Sequence, residues 1–273
     1  MPELPEVQTV LDTLELQIKD SKINEVIVLY SRMIETDVEE FKKNLKNQHF
    51  RNFKRRGKYL LFEMDDLCLV SHLRMEGKFY LKNSDEPIDK HTHVIFKLDD
   101  NRDLRYNDVR KFGKMYITEI KNDYRVFKNL GVEPFSEEFN LEYCKKKLNN
   151  SKKVIKQDIL DQSFISGIGN IYADEIIFAI KKHPSAISNT LDDDDILKLI
   201  ESTKSILARA IEDGGTTIRS YTSSLGVTGK FQLNLMVHQR ENQSCKICGT
   251  PIVKTKVKGR GTYYCPKCQK LWR

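Results

Sequence analysis

The chain has 273 residues, six cysteines and a formal net charge of +7. It contains no run of about 18 apolar residues and no charged start followed by an apolar signal core, and six cysteines are too few for a disulfide scaffold of this length. We therefore expect a soluble, intracellular protein of about two domains that does not associate with membranes.

The first predicted element is a helix near the chain start, because apolar residues recur at helical spacing from Leu4 to Ile18. Removal of Met1 would leave Pro2 with a free secondary amine, and an α-amino group (pKa about 8) is far less protonated at neutral pH than a lysine (about 10.4). Glu3 would place a carboxylate beside this amine, which pairs a nucleophile with an acid–base group. The same residues are also ordinary helix-start signals.

A β-rich region follows the first helix. Short alternating or apolar runs are separated by turn signals such as RG at 56–57 and EG at 76–77. Strands at this spacing favour a sandwich rather than a βαβ sheet. The predicted strands are Ile23–Tyr30, Phe50–Lys54, Tyr59–Met64, Leu67–His72, Lys78–Leu81, His93–Leu98, Asp103–Tyr106 and Lys114–Thr118.

The pattern becomes helical after GVEP at residues 131–134. The predicted helices are Ser136–Leu148, Val154–Asp161, Ile168–Lys181 and Leu191–Glu212. The segment Thr216–Gly229 that follows them is rich in threonine, serine and glycine. Because this composition lacks the periodic apolar residues of a helix or strand, the segment is predicted to be a mobile loop.

The last region combines a metal-binding motif with a high positive charge. Cys245, Cys248, Cys265 and Cys268 form two CxxC pairs separated by 16 residues, which is the spacing of a structural four-cysteine zinc site. Between the pairs we predict a hairpin with Arg260 at its tip. From position 241 onward there are eight lysines and arginines and one acid, which favours nucleic acid as a partner. A zinc knuckle that only closes the chain end is the alternative.

Other residues that could bind a metal ion are interpreted as structural. Cys68 and Cys144 lie in apolar or helical surroundings, and we expect both to be buried. His91 and His93 share one strand face, but no third ligand is evident. The acidic run at 192–195 is interpreted as a helix start, because it lacks the spaced oxygens and the closing glutamate of a calcium loop.

Four motifs, in this order along the chain, resemble those of the bacterial formamidopyrimidine-DNA glycosylase (8-oxoguanine DNA glycosylase) family. They are MPELPEV at 1–7, RKFG at 110–113, GIGNIY at 167–172 and the four-cysteine tail. The resemblance implies an α+β protein with three parts. These are an N-terminal β-sandwich domain with an N-terminal helix (1–133), a helical helix-two-turn-helix domain (134–240) and a zinc finger with one structural zinc ion (241–273). Leu4 favours the purine-repair branch, since the related endonuclease VIII branch usually has glycine there.

The resemblance also implies a bifunctional DNA-repair enzyme that removes an oxidised purine and then cuts the strand by β,δ-elimination. Pro2 would attack C1′ and form a Schiff base, and Glu3 would be the acid that aids opening of the sugar ring. Lys58 would donate a proton during elimination, and Arg260 would contact the phosphate and donate a proton in δ-elimination. The role of Lys58 is also plausible on physical grounds, because a cation near the abasic phosphate stabilises developing negative charge.

An enzyme that acts at C1′ of a stacked nucleotide must flip that nucleotide out and fill the gap. By resemblance, Met75, Arg110 and Phe112 fill it, since Met and Phe can wedge between bases and Arg can bond the orphaned partner base. The loop Thr216–Ser224 would cover the flipped base, with Glu76 near that pocket. The other implied contacts with the DNA backbone come from His91, Lys156, Asn170 and Arg260.

The chain departs from the family pattern at two places. VHQR at 237–240 stands where the family more often has Tyr-Gly after the valine, which affects the linker but not the chemistry. Arg110 and Lys111 replace the commoner Arg-Arg pair, so the charge is kept and bidentate bonding by the second residue is lost. Retention of Met1 in the cell would leave Pro2 as an amide and prevent the chemistry above.

Two other functions remain open. One is a DNA-damage binding protein that has this fold without catalysis, and the other is a glycosylase for oxidised pyrimidines. The expected partner is double-stranded DNA that contains oxidised purines or abasic sites, bound in a basic cleft between the main domains. We expect a monomer in the bacterial cytoplasm that associates with the nucleoid through DNA.

Overall fold

The chain divides into two compact units. The computed structural model describes residues 1–120, 127–216 and 229–271. The N-terminal unit contains Met1–Lys128 and Gly214–Gly229, and the helical-finger unit contains Asn129–Asp213 and Lys230–Arg273. The segment Gly214–Gly229 thus groups with the N-terminal unit, whereas the predicted domain limits assign it to the helical domain. The three predicted limits themselves stay a prediction.

The N-terminal unit is a β-sandwich with a helix at its start, which confirms the predicted architecture. Its elements are α1 Leu4–Ile18, β1 Ile23–Val28, α2 Val38–Leu45, β2 Asn52–Arg56, β3 Tyr59–Glu63, β4 Leu67–His72, β5 Lys78–Asn83, β6 Thr92–Leu98, β7 Arg102–Asn107 and β8 Lys114–Glu119, with a 3-10 turn at Ser31–Met33. One antiparallel sheet has the order β1-β6-β7-β5, and the other has the order β2-β3-β4-β8.

The core of this unit contains side chains from both sheets and from both helices. Phe62 of β3 meets Phe79 of β5 edge to face with ring centroids 5.8 Å apart, so the two sheets pack through apolar side chains. Helix α1 contributes the stripe that its spacing predicts, including the fully buried Leu14. The core thereby holds the start of α1 and the loops between strands in place.

The sequence reading missed helix α2. Only Phe41 and Leu45 of this short segment are buried, and the residues around them are mostly charged. One buried pair four residues apart is too little periodicity to indicate a helix. The start of α2 is closed by Asp37, whose side chain accepts a hydrogen bond from Glu40 N at 2.8 Å.

The helical-finger unit contains the four helices that were predicted after residue 134, although the first begins at Leu141 rather than at Ser136. They are α3 Leu141–Leu148, α4 Ile155–Ile159, α5 Asn170–Ala179 and α6 Asp193–Glu212, with 3-10 turns at Ser188–Thr190 and Phe231–Leu233. Asp192 caps α6 by accepting a hydrogen bond from Asp195 N at 2.8 Å, so the acidic run is a helix start as predicted. In the turn before α5, Gly167 has a φ of +91°, a conformation that favours glycine.

The C-terminal part of this unit is a hairpin of β9 Val253–Val257 and β10 Arg260–Tyr264. Its two turn residues, Lys258 and Gly259, have φ values of +47° and +79°, which match the two-residue turns that suit the twist of a hairpin. Arg260 is exposed and lies opposite Val257, at the first position of β10 rather than at the tip of the turn. In the part of the chain that the structure describes, no helix is both long and apolar enough to cross a membrane.

Candidate active site and nucleic-acid interface

The chain start forms a buried, acid-lined end of helix α1. Pro2 is buried, Glu3 and Glu6 are 3% and 5% exposed, and Met1 is 46% exposed. Glu3 N donates a hydrogen bond to Glu6 Oε2 at 2.9 Å, which satisfies one of the free N–H groups at the helix start. Glu3 is therefore held at the helix start, and removal of Met1 would leave the nitrogen of the preceding residue, Pro2, as the terminal amine.

Burial favours a neutral amine at the chain start. Burial lowers the pKa of the terminal amine, here that of Met1, below its usual 8.0. The positive charge of Lys58 also lowers this pKa, whereas Glu3, Glu6 and Glu76 act in the opposite direction. A lowered pKa raises the unprotonated fraction at neutral pH, which is the form that attacks an electrophile.

Lys58 lies in the two-residue turn between β2 and β3. Gly57 in this turn has a φ of +56°, and Lys58 is only 6% exposed. Arg55 donates to the Gly57 carbonyl oxygen at 3.0 Å and to Gln8 Oε1 at 3.0 Å, so the turn is tied to helix α1. Since the charge of Lys58 acts on the terminal amine, the fold brings Lys58 close to the chain start, 56 positions away in sequence from Pro2.

Glu6 was not singled out beyond its place in the opening motif. Its Oε1 atom accepts hydrogen bonds from Thr216 N at 2.8 Å and from Thr216 Oγ1 at 2.9 Å. A Cβ added at Gly215, where φ is +76°, would lie 3.0 Å from the same oxygen. Glu6 therefore joins the start of α1 to the residue at which the predicted base-covering loop begins. Apart from Thr216, that loop lies outside the described residues.

The three residues expected to fill the gap in DNA lie on loops of the sandwich. Met75 and Phe112 are 37% and 48% exposed, and Arg110 is exposed, so their side chains do not belong to the apolar core. The Arg110 guanidinium carbon lies 4.7 Å from the centre of the Phe112 ring. Asp108, which the sequence reading missed, accepts hydrogen bonds from three backbone N–H groups of this loop.

The two histidines on β6 and the loop before it have different surroundings. His93 is 3% exposed, and its Nε2 lies 2.8 Å from the Asp108 carbonyl oxygen. His91 is partly exposed, so the DNA contact predicted for it stays a prediction. Within residues 1–120, 127–216 and 229–271, the four finger cysteines are the one group of potential ligands that lies together at metal-binding distance. Cys68 and Cys144 are fully buried, as expected.

The four finger cysteines have the geometry of a closed metal site. Their Sγ atoms all lie within 4.8 Å of one another, with Cys245 to Cys268 at 4.0 Å and Cys248 to Cys265 at 3.5 Å. Four thiolates arranged tetrahedrally at the usual zinc–sulfur distance would be about 3.8 Å apart. Each CxxC pair also has a backbone N–H that donates to the first sulfur at 3.4 Å. The donor set therefore fits a tetrahedral ion with no open position.

Lys156 is buried and bonded inside the helical-finger unit. The residue is 1% exposed, and its Nζ bonds to Asp174 Oδ1 at 2.6 Å, Thr262 Oγ1 at 2.7 Å and the Gly261 carbonyl oxygen at 3.1 Å. An ammonium has three N–H donors, and these bonds use all of them. The lysine joins helix α4 to the hairpin residues that follow Arg260, and the phosphate contact predicted for it stays a prediction.

Asn170, the first residue of α5, is bonded to the same hairpin. Its Nδ2 donates to the Gly261 carbonyl oxygen at 2.9 Å, and the residue is partly exposed. The side-chain amide therefore positions the hairpin, while the backbone N–H groups at the start of α5 remain a feature suited to a phosphate. The phosphate contact predicted for Asn170 stays a prediction.

Two acidic residues of α5 that the sequence reading missed complete this arrangement. Asp174 Oδ2 lies 2.7 Å from His238 Nδ1, and the His238 ring packs against Tyr263 with centroids 5.0 Å apart. Glu175 accepts hydrogen bonds from the N–H groups of residues 236, 237 and 238 at 2.8–3.0 Å. Burial raises the pKa of Glu175, although these three donors oppose the shift. His238, which stands where the family more often has another residue, is therefore packed in the interior of the unit and does not lie in an exposed linker.

Three family profiles match successive parts of the chain. The formamidopyrimidine-DNA glycosylase N-terminal domain matches residues 1–115, the formamidopyrimidine-DNA glycosylase H2TH domain matches residues 130–222, and a zinc finger found in FPG and IleRS matches residues 242–271. Two similar proteins are the formamidopyrimidine-DNA glycosylases of Bacillus licheniformis, 45% identical over 99% of this chain and 100% of that protein, and of Listeria monocytogenes, 43% identical over 99% and 100%.

Solved structures of the Lactococcus lactis protein Fpg are similar to this chain throughout. Its complex with DNA that contains an abasic site has a TM-score of 0.92, with 42% identity over 98% of this chain and 100% of that one. A mutant of the same protein bound to DNA with Fapy-dG has a TM-score of 0.94, with 42% identity over 99% and 100%. Its complex with DNA that contains an oxidised pyrimidine has a TM-score of 0.92, with 42% identity over 99% and 100%.

Proposed function

Since the chain belongs to the formamidopyrimidine-DNA glycosylase family and is a DNA glycosylase with AP lyase activity, we propose that it excises oxidised purines from duplex DNA. The proposed substrates are 8-oxoguanine and formamidopyrimidines, and the abasic site is then cut by β,δ-elimination. The names of the relatives and the Lactococcus complexes with abasic-site and Fapy-dG DNA support this substrate class. In this chain, the observation that carries the proposal is the buried position of Pro2 beside the buried Glu3 at the start of helix α1.

The first step requires the Pro2 nitrogen with its lone pair free. That lone pair forms a bond to C1′, the glycosidic bond breaks, and its electron pair leaves with the base, which takes up a proton. Pro2 then loses its N–H proton. When the C1′–O4′ bond opens, Glu3 gives a proton to O4′ and the nitrogen lone pair forms a C=N⁺ iminium. Because a secondary amine leaves no N–H on this iminium, the product stays cationic and withdraws electrons.

The iminium makes the C2′ proton acidic. Loss of this proton to water gives an enamine, whose electrons expel the 3′ phosphate as the C3′–O bond breaks. Loss of the C4′ proton to water then expels the 5′ phosphate as the C5′–O bond breaks, and water hydrolyses the iminium and frees Pro2. We assign Lys58 and Arg260 to proton donation and to stabilisation of the charge that develops on the leaving phosphates. The burial of Lys58 near the chain start supports its role, and the exposure of Arg260 on the hairpin supports contact with a phosphate.

The remaining site residues are proposed to hold the DNA and the finger. Met75, Arg110 and Phe112 fill the gap left by the flipped nucleotide, and their exposure on two loops supports this role. The four finger cysteines would hold one zinc ion, which supplies a cross-link for folding and no chemistry in the reaction. We propose a monomer that acts on duplex DNA in the bacterial cytoplasm.

The test is borohydride trapping on duplex DNA with 8-oxoguanine opposite cytosine, followed by intact mass and N-terminal sequencing of the adduct. A covalent adduct on Pro2 is expected from protein that lacks Met1. Pro2→Gly should reduce trapping, and Glu3→Gln should slow base excision by about 10²-fold or more while DNA binding is kept. Pro5→Ala is the matched control, because it changes a proline of the same helix turn and keeps the nucleophile.

Each other outcome points to a different function. An adduct on a lysine would remove Pro2 from its role, and no adduct from protein verified to lack Met1 would leave a damage-binding protein. The Lactococcus complex with an oxidised pyrimidine makes a second substrate class worth testing. Competition between DNA with 8-oxoguanine opposite cytosine and DNA with thymine glycol decides between the two substrate classes. A preference for thymine glycol would contradict the purine assignment that Leu4 favours.

A further inference from the structure

The loop between β7 and β8 is closed by a single buried carboxylate. Asp108 is 1% exposed. Its Oδ1 accepts from Arg110 N at 2.9 Å, and its Oδ2 accepts from Phe112 N and from Gly113 N, both at 2.8 Å. Both oxygens of one side chain are thus used to fix the backbone on either side of Lys111. Hydrogen bonds to an ionised acceptor are about twice as strong as those between neutral groups.

Asp108 is itself held from the neighbouring strand. Its backbone N donates to the His91 carbonyl oxygen at 3.0 Å, and its carbonyl oxygen lies 2.8 Å from His93 Nε2. The His93 ring also packs against Tyr30 with centroids 5.5 Å apart. Because the backbone of Asp108 is fixed on this side, its carboxylate has a defined position relative to the sheet. The loop is therefore ordered by the sandwich and not by its own sequence alone.

The hydrogen bonds to Asp108 stabilise a backbone conformation that is unfavourable by itself. Lys111 has a φ of +58°, a region that residues other than glycine and asparagine seldom adopt. The hydrogen bonds from Arg110 N and Phe112 N lie on either side of this residue and hold the reversed conformation. As a result, the Arg110 guanidinium and the Phe112 ring lie 4.7 Å apart, and both residues are exposed.

The loop that carries Met75 and the loop that carries Phe112 both pack against the side chain of Tyr106. The Tyr106 side chain is fully buried, and its hydroxyl oxygen would lie 1.7 Å from a Cβ at Gly113 and 2.0 Å from a Cβ at Gly77. Gly113 directly follows Phe112, and Gly77 is two residues after Met75. The absence of side chains at the two glycines lets both loops approach the same ring. The positions of Met75 and Phe112 are therefore set against one buried side chain.

We propose that Asp108, with Tyr106 beside it, is a positioning residue that preorganises the gap-filling residues before DNA binds. The inference rests on the proposed glycosylase function and goes beyond it, because Asp108 would touch neither the base nor the sugar. A loop that is ordered in advance does not lose conformational freedom on binding. Extrusion of an intact lesion base must be compensated by inserted side chains, whereas an abasic nucleotide has no base to unstack. Asp108 should thus matter more for base excision than for incision at a preformed abasic site.

The test compares two reactions in one variant, Asp108→Asn. An asparagine keeps one acceptor oxygen, but its NH2 group cannot accept a hydrogen bond, so either the bond from Arg110 N or those from Phe112 N and Gly113 N are lost. Single-turnover excision of 8-oxoguanine opposite cytosine should fall by about 10- to 100-fold, the size expected for lost hydrogen bonds to a charged group. Incision of a preformed abasic site should fall clearly less. The ratio of the two rates is the readout, since a general folding defect lowers both rates together.

The matched control is Asp65→Asn. The Asp65 carboxylate accepts hydrogen bonds from the backbone N of His49 at 2.9 Å and from the side-chain Nε of Arg51 at 2.7 Å, and Asp65 belongs to the same unit. Its replacement should leave the ratio of excision to incision at the wild-type value. Tyr106→Phe is a second variant with no change in charge, and it should shift the ratio in the same direction by a smaller factor.

The outcomes separate this inference from the proposed function. A reduced ratio in Asp108→Asn, with the ratio kept in Asp65→Asn, supports the positioning role. Equal losses in both reactions, or no loss in either, overturn it while leaving the glycosylase assignment intact. A wild-type protein that cuts abasic sites but excises no 8-oxoguanine would overturn the proposed substrate and this inference together.

Discussion

The two units hold their candidate DNA-contacting residues by different means. In the N-terminal unit, the loops that carry Met75 and Phe112 adjoin the packed core of a sandwich, and the buried Asp108 carboxylate bonds the backbone of the Phe112 loop. In the helical-finger unit, Arg260 stands on a two-stranded hairpin whose apolar cluster consists of a few residues and two of the finger cysteines. The stability of the N-terminal loops therefore depends on apolar packing. The stability of the finger hairpin depends on the four thiolates and on the buried ion pair of Lys156 and Asp174.

The largest expected effect comes from removing one finger ligand. Cys245→Ser should release the zinc ion, because a site of three thiolates binds this metal far more weakly and the small apolar cluster cannot hold the hairpin alone. The wild-type chain should contain about one zinc ion, and the variant close to none. Metal content, circular dichroism and duplex affinity are the measurements, and all three should change together.

Cys144→Ser is the control for this prediction. Cys144 is fully buried outside the finger, and burial raises the pKa of its thiol to about 12. Its replacement should therefore cost some packing energy and leave the zinc content unchanged. Full zinc content in Cys245→Ser, or unchanged DNA affinity without zinc, would show that the hairpin does not depend on the four-thiolate site.

The next effect tests the buried ion pair of the helical-finger unit. Lys156→Met should lower the free energy of unfolding by about 3–5 kcal/mol, because it leaves the fully buried Asp174 carboxylate without its ammonium partner. Lys153→Met is the matched control on the same segment. Its ammonium is 48% exposed and lies 3.3 Å from Asp161, so its loss should cost about 1 kcal/mol or less. Denaturant unfolding of the two variants measures the difference.

The comparison of the two lysines also separates positioning from phosphate contact. If Lys156 contacted a phosphate directly, its replacement would lower the slope of log affinity against log salt by about 0.9 without a large loss of stability. A stability loss no greater than that of Lys153→Met, together with the smaller salt slope, would support the phosphate contact predicted for Lys156.

The smallest expected effect lies in the sandwich and depends on pH. Burial lowers the pKa of His72 from 6.5 to about 3, with Arg74 and Lys58 adding to the shift, and His72 Nδ1 accepts a hydrogen bond from Arg74 N at 2.9 Å. The folded state therefore keeps His72 neutral, while the unfolded state takes up a proton below pH 6.5. This contribution to stability is complete above pH 6.5 and is lost as the pH falls toward 3.

His72→Gln should remove that part of the acid sensitivity. Relative to neutral pH, the wild type should lose about 2 kcal/mol at pH 5 through this residue, since each pKa unit corresponds to about 1.4 kcal/mol. Unfolding free energies of both proteins at pH 7.5, 6 and 5 give the measurement. Parallel curves across this range would mean that His72 does not titrate between the two states.

Much of the sandwich could be predicted because its strands are short, apolar and bounded by turns. The predicted strand Leu67–His72 has the observed limits, and others differ by one or two residues at their ends. Helix α2 was not predicted, because its buried face consists of Phe41 and Leu45 alone. Arg260 was predicted at the tip of the hairpin, but it lies one residue after the turn. The two turn residues are Lys258 and Gly259, which have positive φ values.

Lys156 shows where local sequence reasoning fails. It lies in a run with Lys152 and Lys153, which has the composition of a solvated basic surface. Its interior partners, Thr262 and the Gly261 carbonyl oxygen, lie more than a hundred positions further along the chain. No nearby residue distinguishes a buried lysine from an exposed one, so the phosphate contact was the natural prediction.

The sequence by itself determined the family, the sandwich and helices, and the four thiol ligands, because these depend on short-range spacing and on motifs that can be recognised locally. Only the tertiary structure decided which acceptors hold the functional loops. Glu6 meets Thr216 across 210 positions, and Lys156 meets Gly261 across 105. Such pairs form when distant segments pack together and desolvate their polar groups, and a buried group is then bonded to whatever partner the fold brings within reach.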